Sequence, residues 1–280
     1  FGPFVDKLPN FNDYVDVSKS FITTDFAQSV EGMEAPWGKA QFVLVYDSAR
    51  VSTPPQSAQD LYAWIKEHPG RFAYPALPNF TGSAFVRSLY VQEEGIAEES
   101  TKERLMRDAL PLWERLNALK PYLYKEGKNQ PNSSALLDVL FASGQIDFTF
   151  SYNPSHALNK INTGTFPKST KTTLFNNASL ANTHFLAIPY TAPNKAGAMV
   201  AINFLLSPQA QLEKQKPSVW GDGMVLSMDK LDTTTQEAFN AQTSHPSLLS
   251  QDVLSTHAIG EMNAELIEVL EKEWAKYVLP

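Results

Sequence analysis

The residues best suited to hold a small polar molecule stand in a few short stretches. Asn79-Phe80-Thr81-Gly82-Ser83 marks a helix start, where free N–H groups and the positive end of the helix dipole favour an anion or a phosphate ester. Gly82 lets the backbone approach closely, and the Thr81 and Ser83 hydroxyls add donors. The commoner use of Thr or Ser at such a place is an ordinary cap, and both readings stand. Tyr152-Asn153 follows an alternating strand, at the carboxyl end where doubly wound folds bind ligands, although Asn153 before Pro154 also reads as a helix cap. Trp37 and Tyr190 present aromatic faces that can stack on a flat or cationic group for ~0.5–2 kcal/mol each, or simply pack. Trp220-Gly221-Asp222 is a tight turn whose carboxylate suits a cation or serves the turn itself.

Covalent and metal chemistry find little here. The chain has no cysteine, which removes disulfides, thiolate metal sites and cysteine nucleophiles. Its histidines, His68, His156, His184, His245 and His257, show no i, i+3 or i, i+4 pairing and no H-E-x-x-H frame. There is no phosphate-binding G-x-x-x-x-G-K-[ST] loop, no dinucleotide glycine fingerprint and no G-x-S-x-G elbow. Asp47, Asp138, Asp147 and Asp222 could pair as acid and base, but most such aspartates are caps, turns or salt-bridge partners. The reading is a binding protein rather than an enzyme, with no cofactor and no metal.

The elements that must position these residues follow from pattern. Lys39–Tyr46 is short, apolar and rich in β-formers, a strand. Ser57 caps a helix striped by Leu61, Trp64 and Ile65, and Pro69-Gly70 ends it. Arg71–Tyr74 reads as a short strand, and the helix opened at Thr81–Ser83 buries Phe85, Val86, Leu89 and Tyr90. A helix from Ser100 is kinked at Pro111, and Ser133 caps another that Gly144 ends. Ile146, Phe148 and Phe150 alternate as a strand, Asn153-Pro154 starts a helix, and Thr172–Phe175 and Phe185–Pro189 are strands. Helices follow over Asn194–Leu206, Pro208–Gln215 and Glu261–Tyr277, and Ser20–Thr24 holds at most one short strand. Alternating strands and helices predict an α/β fold with mostly parallel sheets covered on both faces by helices. A net charge of −7 without a basic block makes nucleic acid and anionic membrane surfaces poor partners. The longest nearly apolar run, Ala196–Leu206, is too short to span a bilayer, so no membrane insertion is expected.

Three stretches carry a family resemblance. The run Ala187–Gln211, beginning Ala-Ile-Pro-Tyr-Thr-Ala-Pro-Asn, resembles the second crossover and following helix of periplasmic solute-binding proteins of ABC importers. Glu34–Asp47, with Pro36-Trp37 ahead of an apolar strand ending Tyr46-Asp47, resembles the first crossover. Gly144–Asn153 resembles the glycine-started strand whose tip faces the cleft. The chain looks nearest the cluster that includes thiamine, iron and polyamine binders.

The resemblance implies the type II periplasmic-binding-protein fold, two lobes joined by two crossover strands near 39–46 and 184–189. Lobe 1 would hold 1–43 and 185–280, and lobe 2 would hold 44–184. It implies a small ligand held in the interlobe cleft by hinge closure, and delivery to an importer permease in the Gram-negative periplasm, with any signal peptide upstream of Phe1. It also places Trp37, Phe80, Thr81, Gly82, Ser83, Tyr152, Asn153, Tyr190, Trp220 and Asp222 around that cleft. The ligand could be phosphate-bearing, or cationic and aromatic. The alternatives are an extracytoplasmic carboxylate-dependent hydrolase on the same fold, or the effector-binding domain of a regulator, which would need a DNA-reading helix. Because the first crossover arrives by about residue 40, lobe 1 is expected to be incomplete. Roughly 100 residues, a lobe's share, are expected ahead of Phe1.

Overall fold

The structure is a computed structural model that describes residues 2–95, 101–176 and 179–279. Its strands are β1 (Thr24–Asp25), β2 (Gln28–Ser29), β3 (Glu34–Gln41), β4 (Val43–Asp47), β5 (Phe148–Ser151), β6 (Thr170–Thr173), β7 (Ser179–Ala187) and β8 (Ala258–Ile259). Its early helices are α1 (Pro9–Tyr14), α2 (Ser20–Thr23), α3 (Ala58–Glu67), α4 (Phe80–Glu94), α5 (Lys102–Asp108), α6 (Leu110–Leu119), α7 (Ser134–Ala142) and α8 (His156–Asn162). The later ones are α9 (Lys195–Leu205), α10 (Pro208–Gln215), α11 (Thr233–Gln242), α12 (Gln251–His257) and α13 (Ala264–Tyr277).

Two hydrophobic cores organise these elements. The larger is built on a three-stranded sheet in the order β5-β4-β6. Every residue of β4 is buried, which is why its sequence reads as one apolar run rather than as an alternation. Phe85 of α4 stacks on Phe150 of β5 at 4.9 Å between centroids, and Phe72 fits against Phe148 and Phe150. Such aromatic pairs add ~0.5–1.5 kcal/mol beyond the area they bury. The smaller core joins Phe4, Leu8, Phe11 and Ile22 from the N-terminal segment to Ile188, Ile202, Leu206, Val225 and Phe239.

One strand pair runs from core to core. β3 and β7 are antiparallel, with Glu34 opposite Ala187 and Gln41 opposite Ala181. Ala35 belongs to the smaller core, whereas Ala40 and Leu180 belong to the larger. The ladder slips at Pro36–Gly38, so Trp37 sits in a bulge.

The α/β class stands as expected, but the strand directions do not. Pairings within the two larger sheets are antiparallel except that of β7 with β8. Burial on both faces produces the same apolar runs whichever way the neighbours point, so alternation of strands and helices did not report direction. Arg71–Tyr74 is not a strand. Phe72 and Tyr74 are buried there as irregular backbone, while Arg71 clasps Asp147. Ser20–Thr23 is a single helical turn rather than a strand. The helix expected from Ser100 has its cap outside the described residues. Thr101 caps α5, and the break before Leu110 leaves Pro111 in the first turn of α6, where its missing N–H costs nothing. The apolar stripe of α13, expected in lobe 1, is covered by the larger core, with Leu270 and Trp274 fully buried. On α9, by contrast, Val200 and Phe204 face outward.

Candidate ligand-binding site

A cavity of about 550 Å³ opens beside the β3–β7 pair, within the usual ~300–1,000 Å³ of small-molecule sites. Its walls come from the Ser20–Ala27 segment, the ends of β3 and β7, Pro154-Ser155, Gly221 and Gly223, and the stretch from Leu248 to Glu261. The charged side chains on it are Asp25, Lys39 and Glu261, and amide side chains are numerous: Gln41, Asn182, Gln215, Gln242 and Gln251.

Glu261 belongs to a closed network. Arg87, buried on α4, clasps it through Nε and Nη2, each 3.2 Å from a carboxylate oxygen. Tyr152 donates its hydroxyl to the same carboxylate, and Arg87 Nη1 donates to Ser83 Oγ at 2.6 Å, which in turn donates to Glu271. Burial and the Glu261 carboxylate push the Tyr152 phenol well above its ordinary pKa, so it remains a donor. Phe80 covers the outside, its ring 4.6 Å from that of Tyr152.

On the opposite side the turn Trp220–Gly223 meets β3 and β7. Lys214 donates to the carbonyls of Trp37 and Gly223 at 2.8 and 2.7 Å, with Asp222 3.9 Å away. His184 Nδ1 lies 3.1 Å from Asp222, and its ring stacks on Trp220. A Cβ at Gly38 would stand 1.8 Å from the Asp222 carboxylate, so only glycine lets that carboxylate reach the strand. Asn153 stands two residues before Ser155, the residue that immediately precedes α8. It accepts from Ser155 N–H at 2.8 Å and donates to the Trp220 carbonyl at 2.8 Å, tying this turn to the start of α8.

The hairpin of β1 and β2 forms a third wall. Phe26 and Ala27, between the strands, have φ of 42° and 62°, the left-handed region where a tight hairpin turn normally places Asn-Gly. Burial pushes the carboxyl of Asp25 beside them upward.

The candidate residues therefore divide. Phe80, Ser83 and Tyr152 gather around Arg87, one step behind Glu261. Trp37, Asn153, Trp220 and Asp222 gather at the Trp220–Gly223 turn, one step behind Gly221 and Gly223. Thr81 and Gly82 are turned inward. Their N–H groups, with the Thr81 hydroxyl, go to the Asn79 side chain, and a Cβ on Gly82 would sit 2.1 Å from the Pro75 carbonyl oxygen. Tyr190 is 80% exposed and stands apart, under the Lys195 ammonium. None of these side chains lines the cavity itself; of their immediate sequence neighbours, Pro154, Gly221 and Gly223 do. The four aspartates are each engaged elsewhere: Asp47 with Ser169 and the Ala49 N–H, Asp138 with His156, Lys160 and Thr149, Asp147 with Arg50 and Arg71, and Asp222 as above. Sequence reasoning missed Lys39, Asp25 and the amides. Lys39 and Gln41 alternate as polar residues inside an otherwise apolar strand, which was the available signal.

Residues 3–222 match the model of a family described as bacterial extracellular solute-binding protein. The chain belongs to that family. Protein YnjB of Escherichia coli (strain K12) is 36% identical over 275 residues, spanning 97% of this chain and 68% of that protein. Among solved structures, the Tp0655 (TpPotD) lipoprotein of Treponema pallidum superposes with a TM-score of 0.70 at 16% identity, covering 100% of this chain and 78% of that one. An ABC transporter structure from Clostridium perfringens gives 0.65 at 17% identity, covering 97% and 75%. For a solute-binding protein the task is recognition, and the fold is that of the two-lobe type II binding proteins. Among the described residues, no helix is long and apolar enough to cross a membrane.

Proposed function

We propose that this solute-binding protein holds a small molecule in the cavity beside β3 and β7, and hands it to the permease of an ABC importer in a Gram-negative periplasm. The observation that carries this reading is the position of the cavity: it lies beside the β3–β7 strand pair, which contributes residues to both cores. Two lobes, one around each core, would then move about the β3–β7 pair as a hinge, with the bulge at Trp37 absorbing the rotation. In this proposal lobe 2 is 44–184 with α13 added, and lobe 1 is the remainder.

Closure would exclude water, so a few hydrogen bonds and one charge would suffice for affinity without covalent chemistry. Ser155, Asn182, Thr183 and Gln242 offer the polar contacts. Phe80, Ser83 and Tyr152 would act through Glu261 by fixing its carboxylate. Trp37, Asn153, Trp220 and Asp222 would carry the contact between hinge turn and α8 that forms on closure. Thr81 and Gly82 would hold the helix start in place, and Tyr190 would lie outside the cleft.

A size-filtered metabolite extract of a Gram-negative bacterium, added to protein freed of solute by unfolding and refolding, tests the reading. A component present at 100 times its Kd raises stability by about 2.7 kcal/mol and is identified by mass spectrometry after release. Extract that leaves the melting temperature unchanged, or that is turned over rather than bound, overturns it.

A further inference from the structure

Lys39 is the cation of the cavity with no anion opposite it. The residue is half-buried on β3, facing Thr183 across the ladder, and its Nζ stands 3.9 Å from the centroid of the Phe21 ring. Among the described residues no carboxylate comes within ion-pair distance of it, and no hydrogen bond from its ammonium is formed. The charges around it sharpen the imbalance. Lys19 and Lys214 both repel it or are repelled by it, and Lys214 already has Asp222 and two carbonyls. Glu261, on the cavity wall, is taken by Arg87 and Tyr152. Asp25, the other acid of the wall, has its carboxyl pushed up by burial.

A half-buried ammonium without a partner costs stability, and a cation–π contact of ~1 kcal/mol does not replace an ion pair. A protein keeps such a group where something else supplies the anion. Resting on the solute-binding reading, we propose that the solute carries an acidic group, a carboxylate or a phosphate, and that this group docks on the Lys39 ammonium beside the Phe21 ring. The amide side chains of Asn182, Gln215 and Gln242 line the same cavity, and each has an oxygen without a partner, free to turn toward the N–H or O–H groups of that solute. A polyamine fits poorly, since its ammonium groups would meet Lys39 head on.

Calorimetric titration of inorganic phosphate, acetate and spermidine into the full chain and into Lys39→Met and Lys39→Arg tests this. Phosphate, acetate or both should bind the parent chain, and whichever binds names the acidic group. Lys39→Met should weaken that binding by about tenfold or more, the least a charge-assisted hydrogen bond contributes. Lys39→Arg should restore it to within a few-fold, and spermidine should bind more weakly than either anion. Failure of both anions on the parent chain, equal binding to Lys39→Met, or tighter binding of spermidine would overturn the assignment. If the metabolite extract still stabilises the protein in that event, only the role of Lys39 falls; if the extract fails too, the solute-binding reading falls with it.

Discussion

The two sides of the cavity treat charge in opposite ways. On the side of the larger core, Arg87 is 1% exposed and every donor nitrogen finds a partner in Glu261, Tyr152 or Ser83. On the side of the β1–β2 hairpin, Lys39 has, among the described residues, only an aromatic face, and the hairpin holds Phe26 and Ala27 in a backbone region that costs ~1–2 kcal/mol per residue for any side chain. A matched buried charge is architecture, because removing either half leaves the other stranded. An unmatched charge next to strained backbone is a cost that folding alone does not explain, and such costs gather where ligands bind.

The largest expected effect lies on the matched side. Glu261→Ala should cost about 3–5 kcal/mol in urea unfolding, because it strands a buried guanidinium. A loss below about 1 kcal/mol would show that Arg87 is not held as described. Tyr152→Phe should cost about 1.5–3 kcal/mol, the value of a hydrogen bond to a charged group, while leaving Arg87–Glu261 intact.

Lys39→Met should do the reverse and raise stability at neutral pH, by about 1 kcal/mol once solvent screening of a partly buried side chain is allowed for. Burial pushes the Lys39 ammonium from 10.5 down to about 8, so in the folded chain it sheds its proton earlier than in the unfolded one. Its penalty is thus fully present below pH 8 and is relieved as pH rises from there toward 10.5. The advantage of Lys39→Met should shrink across that window. Lys214 is lowered to about 8 as well, so a residual slope remaining in Lys39→Met belongs to it. The smallest effect is Ala27→Gly, which should stabilise the hairpin by about 0.5–1 kcal/mol in thermal unfolding.

Much of the larger core was legible because its signals are local. Ser57 and Ser133 cap α3 and α7 as their spacing predicts; Leu61 and Ile65 of the first stripe and Leu137, Leu140 and Phe141 of the second are buried, whereas Trp64 is half-buried and Leu136 is exposed. The start of α4 was one step off: the Asn79 side chain satisfies the N–H groups of both Thr81 and Gly82, and an asparagine two positions upstream competes with threonine for the same task. Strand direction was illegible, since burial does not depend on it. The cavity was illegible for a different reason. Its walls draw Lys39, Asn182, Gln215 and Gln242 from stretches far apart in the chain, and amides carry no diagnostic spacing. Of the aromatic and hydroxyl residues picked by type, Phe80, Ser83 and Tyr152 fell one layer behind, around Arg87, while Tyr190 stands apart.

The asymmetry between the two walls is tested most directly by the Lys39 ammonium itself. In protein carrying 13C-labelled lysine, the ε-carbon of Lys39, assigned by its loss in Lys39→Met, should titrate near pH 8 in the free chain. Saturating inorganic phosphate or acetate should move that midpoint upward, since an anion favours the charged ammonium. A midpoint at the ordinary 10.5, unmoved by either anion, would contradict the account.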